Sequence, residues 1–222
     1  MFHVKQSPPY GSEDFQRDTG VSRETLDRLK AYAELLLDWN KRKNLIGRST
    51  EPTLWHRHML DSAQIYPLIP KTAQSLLDIG SGAGFPGLVL AIMGVPGVHL
   101  VESDQGKAAF LGEAARVTGT PVTIHAKRLE EMAAFPADVI TARALAPLTD
   151  LLALSQPFLR EGGLCIFPKG QNVEVELTEA HKRWRIKTDR RSSQTDPGST
   201  ILCIGEVHRA QPNRSRTPDR PT

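Results

Sequence analysis

Apolar positions along the chain fall into short continuous runs, separated by glycines and by amphipathic stretches. Leu76–Ile79, Val98–Glu102, Val122–His125, Asp138–Thr141 and Leu164–Phe167 are runs of this kind, rich in Leu, Ile and Val. Runs this short predict parallel strands buried on both faces. Helices are predicted between them, from Leu88 to Met93, from Gly106 to about Val117, from Leu148 to Leu159 and over Val173–Lys182. Gly119 with Pro121, and Gly162-Gly163, read as helix stops. Arg185–Lys187 and Ile201–Ile204 are the final strands, with Gly198 in the loop between them. Strand and helix alternate through this part of the chain, the pattern of an α/β fold with a mostly parallel sheet.

The first third of the chain reads differently. Ser22 is a candidate N-cap, and Leu26, Leu29, Ala33 and Leu36 follow at helical spacing. A basic turn, Lys41 to Arg48, leads to a second helical segment beginning near Thr50 or Glu51 with Pro52 in its first turn. This segment carries His56-Arg57-His58-Met59-Leu60-Asp61-Ser62. Basic residues beside aromatics suit RNA, although the same residues also make an ordinary solvated face. Residues 1–20 hold Pro8, Pro9, Gly11 and Gly20 and read as a weakly structured N-terminus. Ser7-Pro8-Pro9-Tyr10 has the form of an amine-holding methyltransferase motif, but no buried strand precedes it. Residues 208–222 carry Arg209, Arg214, Arg216 and Arg220 among prolines, a disordered basic tail. The expected divisions are therefore 1–20, a helical extension over 21–70 that is expected to contact RNA, an α/β domain over 71–207, and the tail.

The chemistry concentrates after the first strand. Asp78-Ile79-Gly80-Ser81-Gly82-Ala83-Gly84-Phe85-Pro86-Gly87 joins a buried strand directly to a helix. Glycine lets the backbone turn tightly and approach a ligand, and a helix start turns N–H groups toward it. From Gly82 the letters spell the dinucleotide fingerprint, and from Asp78 they spell the pattern of S-adenosylmethionine enzymes. Asp78 favours the second, because a carboxylate suits a ligand bearing an amine. Glu102 ends the next strand, where it could accept both hydroxyls of a ribose, which either cofactor has. Loops after the strands line the crevice, so Lys127–Glu131 is a candidate adenine contact and Arg143 stands beside the cofactor. Arg143 could equally be one half of a surface ion pair.

Composition narrows the classes. The chain has 222 residues, 39% hydrophobic and 24% charged, which fits one α/β domain with an extension. A net charge of +3 gives no global basic field, so RNA contact would rest on local clusters. Cys165 and Cys203 lie in apolar runs and make neither a metal spacing nor a disulfide framework. No stretch is long enough to span a membrane and no signal-peptide core is evident, so a cytoplasmic protein is expected.

Several pieces follow one another over residues 22–207: Trp39-Asn40 with Asn44-Leu45, Arg57-His58 then Leu60-Asp61-Ser62, and the Asp78–Gly87 loop with its Phe-Pro-Gly ending. Gly106-Lys107, the Arg128/Glu130-Glu131 loop, Arg143-Ala144 and Lys169-Gly170 complete the set. In these the chain resembles the bacterial small-subunit rRNA methyltransferase G family, also called glucose-inhibited division protein B. Glu102 stands where many members have Asp, and Leu129 where Ala is usual. The resemblance implies a class I, Rossmann-like S-adenosylmethionine-dependent methyltransferase. Its implied activity is methylation of N7 of guanine 527 in 16S rRNA, by direct displacement without a general base. It implies S-adenosyl-L-methionine as cofactor, bound by Gly80, Phe85, Leu129 and Glu130, with Arg143 as the catalytic residue of the same pocket. Asp78, Gly82 and Glu102 join that set by position, while Arg57, His58, Lys107 and Lys169 are the RNA candidates. The partner is then 16S rRNA or a mature or assembling small subunit, and a monomer is favoured. A small-molecule methyltransferase, a nicotinamide oxidoreductase and a non-catalytic RNA-binding module are the alternatives.

Overall fold

Residues 10–210 are described by a computed structural model of the chain. Within them the strands are β1 (Leu76–Ile79), β2 (Val98–Val101), β3 (Thr123–His125), β4 (Ala137–Thr141), β5 (Leu159–Lys169), β6 (Trp184–Ser192) and β7 (Thr200–Arg209). They form one sheet in the order β3-β2-β1-β4-β5-β7-β6. β3 through β5 are parallel, and β7 runs antiparallel between β5 and β6. The order reverses at β1/β4, so the loops after these two strands diverge and leave a crevice at their carboxyl ends.

Successive side chains of each strand face opposite layers. Leu76 points into the core under α2 (Arg23–Asn40), α4 (Gly87–Ile92) and α5 (Gln105–Thr118), whereas Leu77 points into the core under α6 (Leu148–Ser155) and α7 (Val173–Arg183). The cysteines divide in the same way, Cys203 to the first layer and Cys165 to the second. Both are buried core thiols, and burial pushes the Cys165 thiol up to about 12.

The glycines of the first loop are set by space. Gly87 lies so close to β1 and β2 that a Cβ would come 2.6 Å from both Asp78 Cβ and Leu100 Cδ2. Neither atom is the end of a flexible side chain free to swing into solvent, since both residues are fully buried. Gly87→Ala should therefore lower stability by about 1–3 kcal/mol through overpacking, read as a lower urea midpoint at unchanged slope.

Several boundaries differ from the sequence reading. Residues 12–19 were expected to be weakly structured, yet Ser12–Thr19 is a helix, α1. The glycines that suggested looseness are its two ends: the Gly11 N–H donates to Asp14 Oδ2 at 2.9 Å, and Gly20 closes the helix with φ of 68°. Phe15 anchors it, wholly buried against Trp55. Positions 208 and 209 of the expected basic tail belong to β7, which continues to Arg209, whose guanidinium lies 4.4 Å over the Trp184 ring. Residues 1–9, with most of the Ser7–Tyr10 motif, and 211–222 lie outside the described residues. Gly162-Gly163 does not stop a helix. α6 ends at Ser155, and the two glycines sit inside β5 where its register with β4 shifts.

The extension after α2 is irregular: a 3-10 turn (Arg48–Thr53), a π-helical turn (Trp55–Leu60), then α3 (Asp61–Ala63). Buried Asn40 organises it. Its Oδ1 accepts the N–H groups of Leu45 (2.7 Å) and Ile46 (3.0 Å), and its Nδ2 donates to Glu51 at 2.6 Å. The Tyr32 hydroxyl of α2 donates to the Ala83 carbonyl, tying the extension to the glycine loop.

Candidate active site

The loop after β1 forms one wall of a cavity of about 380 Å³ at the carboxyl end of the sheet. Gly80 and Gly82 face it, with Glu102 and Ser103 from the end of β2, Lys107 from α5, Lys127 to Glu130 after β3, and Arg143 after β4. Gly80 has φ of 69°, a left-handed turn, and Leu145 packs so closely on it that a Cβ would come 2.8 Å from Leu145 Cδ1. Glu102 braces the mouth: Oε2 accepts the Gly82 N–H at 2.9 Å and Oε1 the Asp104 N–H at 2.8 Å. Each carboxylate oxygen keeps a second acceptor site for a ligand hydroxyl.

Asp78 does not reach this cavity. It is fully buried, its Oδ2 accepting the Gly87 N–H at 3.2 Å and its Oδ1 the Thr141 hydroxyl at 2.7 Å. Burial raises its pKa, and these hydrogen bonds with Thr141 and Gly87 oppose the rise. The expected contact with a ligand amine is replaced by a contact within the scaffold: Asp78 holds the start of α4 to β1 and β4. The Gly87 N–H expected to face a ligand is consumed by the same bond.

Phe85 also does not line the cavity; its ring is a platform. The Arg143 guanidinium lies 4.9 Å over it, and the His58 ring stacks on it at 5.0 Å. Arg143 is held from further sides. Its Nη1 donates to Asp61 Oδ2 at 3.1 Å, and its Nη2 to His58 Nδ1 at 3.0 Å. Because Nδ1 accepts, the His58 proton resides on Nε2, which donates to Thr50 Oγ1 at 2.9 Å. Burial first, and the neighbouring Arg143 second, push the His58 pKa down to about 4. Asp61 Oδ1 accepts from Gln64 Nε2 (2.9 Å) and from the Thr195 hydroxyl (2.7 Å). Arg143 is thus an oriented cation, met by His58 from the π-helical turn and by Asp61 from the start of α3.

Beyond Arg143 lies a second cavity, of about 440 Å³, between the Gly47–Asp61 segment, the end of β5 and the β6–β7 loop. Arg57, His58, Asp61, Lys169, Glu176 and Asp196 contribute to it. Arg143 and Ala144 line both cavities, so this pair forms the partition. Ala144 has φ of 52°, a left-handed conformation uncommon for a residue with a Cβ, and it turns the chain at this partition.

The structure therefore brings Gly80, Gly82, Glu102, Leu129, Glu130 and Arg143 to one cavity, as expected, and adds Lys107, which was read as an RNA contact. Arg57, His58 and Lys169 reach the other. Lys169 is largely buried and bound to Glu176 at 2.6 Å and to the Ala146 carbonyl at 3.1 Å. Thr50, Asp61, Thr195 and Asp196 were not among the expected site residues. Asp61 lay inside a quoted motif, one turn from His58; nothing in local spacing signalled the β6–β7 loop, which antiparallel pairing on β5 delivers. Among the described residues, no group of three or more metal-ligating side chains is present, and no helix is long and apolar enough to cross a membrane.

The strand order with antiparallel β7, and the glycine-walled cavity at the β1 end, define a class I, S-adenosylmethionine-dependent methyltransferase fold with an N-terminal helical extension. Solved structures share that fold. The ribosomal protein L11 methylase from Lactobacillus delbrueckii subsp. bulgaricus has a TM-score of 0.54 at 20% identity, over 66% of this chain and 77% of that one. The O-methyltransferase from Bacillus cereus in complex with SAH has a TM-score of 0.54 at 15% identity, over 79% and 90%. Sequence relatives narrow the class. Residues 25–198 match the family model for rRNA small subunit methyltransferase G. Ribosomal RNA small subunit methyltransferase G of Paramagnetospirillum magneticum is 58% identical over 204 residues, 91% of this chain and 100% of the relative. That of Rhodospirillum centenum is 54% identical over 201 residues, 90% and 93% respectively. The chain belongs to the rRNA small subunit methyltransferase G family, which is S-adenosylmethionine-dependent.

Proposed function

We propose that the chain transfers a methyl group to N7 of a guanine in 16S rRNA, guanine 527 by the family resemblance. The observation that carries this reading is the character of the partition between the two cavities. Its cation is Arg143, and its imidazole, His58, is neutral with both ring nitrogens hydrogen-bonded. Asp61 is likewise occupied by Arg143, Gln64 and Thr195. Neither His58 nor Asp61 is thus a free general base. Such a partition suits an acceptor atom that already carries a lone pair and no proton, and guanine N7 is that atom.

S-adenosyl-L-methionine supplies a methyl group on a sulfonium, whose departure needs no acid. The residues of the first cavity fit it: Glu102 accepts ribose hydroxyls, Gly80 and Gly82 allow close approach of the backbone, and Leu129 with Glu130 borders the adenine. Arg143 fixes alignment across the partition, while the positive charge passes from the sulfonium to the guanine ring. Phe85, His58 and Asp61 hold Arg143 in place, while Arg57 and Lys107 are cations available to phosphates at the two mouths. A regular RNA helix hides N7 in a deep, narrow groove, so the guanine enters the second cavity unpaired or extruded. The cytoplasm, where ribosomes are assembled, is the compartment this substrate requires.

Transfer of labelled methyl to 16S rRNA or small subunits, followed by mapping of the modified base, tests the reading. The label should sit on one guanine as 7-methylguanine. Label on another atom, or on a small molecule only, refutes it.

A further inference from the structure

We propose that Asp196, in the loop between β6 and β7, reads the Watson–Crick edge of the target guanine; this rests on the guanine-N7 reading above. Three carboxylates line the second cavity. Asp61 is taken up by Arg143, Gln64 and Thr195, and Glu176 is neutralised by Lys169 (2.6 Å), which shares Oε2 with the Leu148 N–H (2.7 Å). Asp196 differs from both. Among the described residues it makes no salt bridge, and each oxygen accepts one bond from its own loop, from the Gly198 N–H and the Ser199 hydroxyl, both at 2.9 Å. Each oxygen therefore retains acceptor capacity toward the cavity.

The loop that presents Asp196 is fixed to the Arg143 cluster. Thr195 donates to Asp61, the carboxylate that holds Arg143, and the Gln194 N–H donates to Gln64 Oε1 at 2.7 Å. Ser193 N–H closes the loop on the Ser199 carbonyl at 3.1 Å. A donor-only group, Arg143, and an acceptor-only group, Asp196, thus line one cavity. Guanine has the complementary pattern. Its N7/O6 edge only accepts, while N1–H and the 2-amino group are adjacent donors that a carboxylate takes side by side. Adenine, cytosine and uracil each present an acceptor on that edge in place of one of these donors. With O6 toward Arg143 and the two donors on Asp196, the N7 edge lies against the partition where the methyl arrives.

The test uses inosine, which keeps N7 and O6 but lacks the 2-amino group. Methyl transfer is measured on 16S rRNA carrying guanosine, inosine or 7-deazaguanosine at the target, with the full-length enzyme and with Asp196→Asn. The enzyme should lose about tenfold or more in kcat/KM on inosine, since a carboxylate left with an unfilled acceptor discriminates strongly. Asp196→Asn should lose a similar factor on guanosine, and its inosine penalty should fall below about threefold. Unchanged S-adenosylhomocysteine binding certifies the folded variant; should it not fold, the enzyme's own guanosine-to-inosine ratio still decides. Equal rates on guanosine and inosine, or a full inosine penalty in Asp196→Asn, overturn the proposal. Failure of the parent reading looks different: methylation of the 7-deazaguanosine RNA removes N7 as acceptor, whatever inosine does.

Discussion

RNA carrying 7-deazaguanosine at the target should bind with ordinary affinity and accept no methyl group. Carbon replaces the attacking nitrogen, so the lone pair is gone while the shape of the base and its hydrogen-bonding edge remain. The effect should be complete, because no neighbouring group in the partition can substitute as nucleophile. Arg143 is a bound guanidinium and His58 has no free nitrogen. The companion expectation concerns pH. With no proton to remove, the single-turnover rate should stay nearly flat from about pH 6 to 8.5, where a general base of pKa near neutrality would give a titration. His58 reinforces this. Its pKa is pushed down to about 4, so it stays neutral throughout that range and keeps accepting from Arg143. Protonation toward pH 4 removes that acceptor, so the linked loss of alignment should appear only at the acid end. A rate rising with slope one through pH 7 would mean that a proton is lost before transfer, and that the acceptor is not N7.

The strand–loop–strand core of the site was legible because its geometry is local. Gly80, Gly82 and Glu102 lie within one βαβ unit, so the run of apolar residues, the glycines and the terminal acid fix their mutual placement. Arg143 was legible for a related reason, since residues ending parallel strands gather at the same edge. Asp78 was misread because sequence gives a carboxylate's position on the strand but not which polar groups surround it. Thr141, paired with it across β4, and the start of α4 claim both oxygens. Phe85 was assigned to the right site with a different task, carrying Arg143 instead of facing the ligand. The β6–β7 loop was out of reach. Its arrival beside His58 depends on β7 inserting antiparallel between β5 and β6, and on hydrogen bonds such as Thr195 to Asp61 that span well over a hundred residues. At the N-terminus, Gly11 and Gly20 counted as signs of looseness when read singly, and as the two ends of a helix once Phe15 is seen to be buried.

Arg143→Ala should slow methyl transfer by about 10²-fold, the scale on which a reacting group misplaced by about an ångström is felt. The loss should appear in the single-turnover step and not only in KM, because Arg143 borders both cavities and fixes how their contents meet. Binding of S-adenosylhomocysteine should change little, since Gly80, Gly82, Glu102 and Leu129 remain in place. Arg143→Lys separates charge from geometry. A lysine keeps the positive charge but offers a single ammonium, which cannot reproduce the fork that meets His58 Nδ1 through one nitrogen and Asp61 Oδ2 through the other. It should therefore recover only a small part of the lost rate, on the order of tenfold, if orientation is what matters. His58→Ala provides the complementary measurement. It leaves the charge of Arg143 untouched and removes one of its holds, so it should slow the chemical step less than Arg143→Ala does, without altering S-adenosylhomocysteine affinity. If Arg143→Lys were as fast as the unaltered enzyme, charge alone would suffice and the clamp of Phe85, His58 and Asp61 would be no more than packing. If Arg143→Ala raised KM for RNA alone, Arg143 would be a phosphate contact, and the alignment role assigned to it would be wrong.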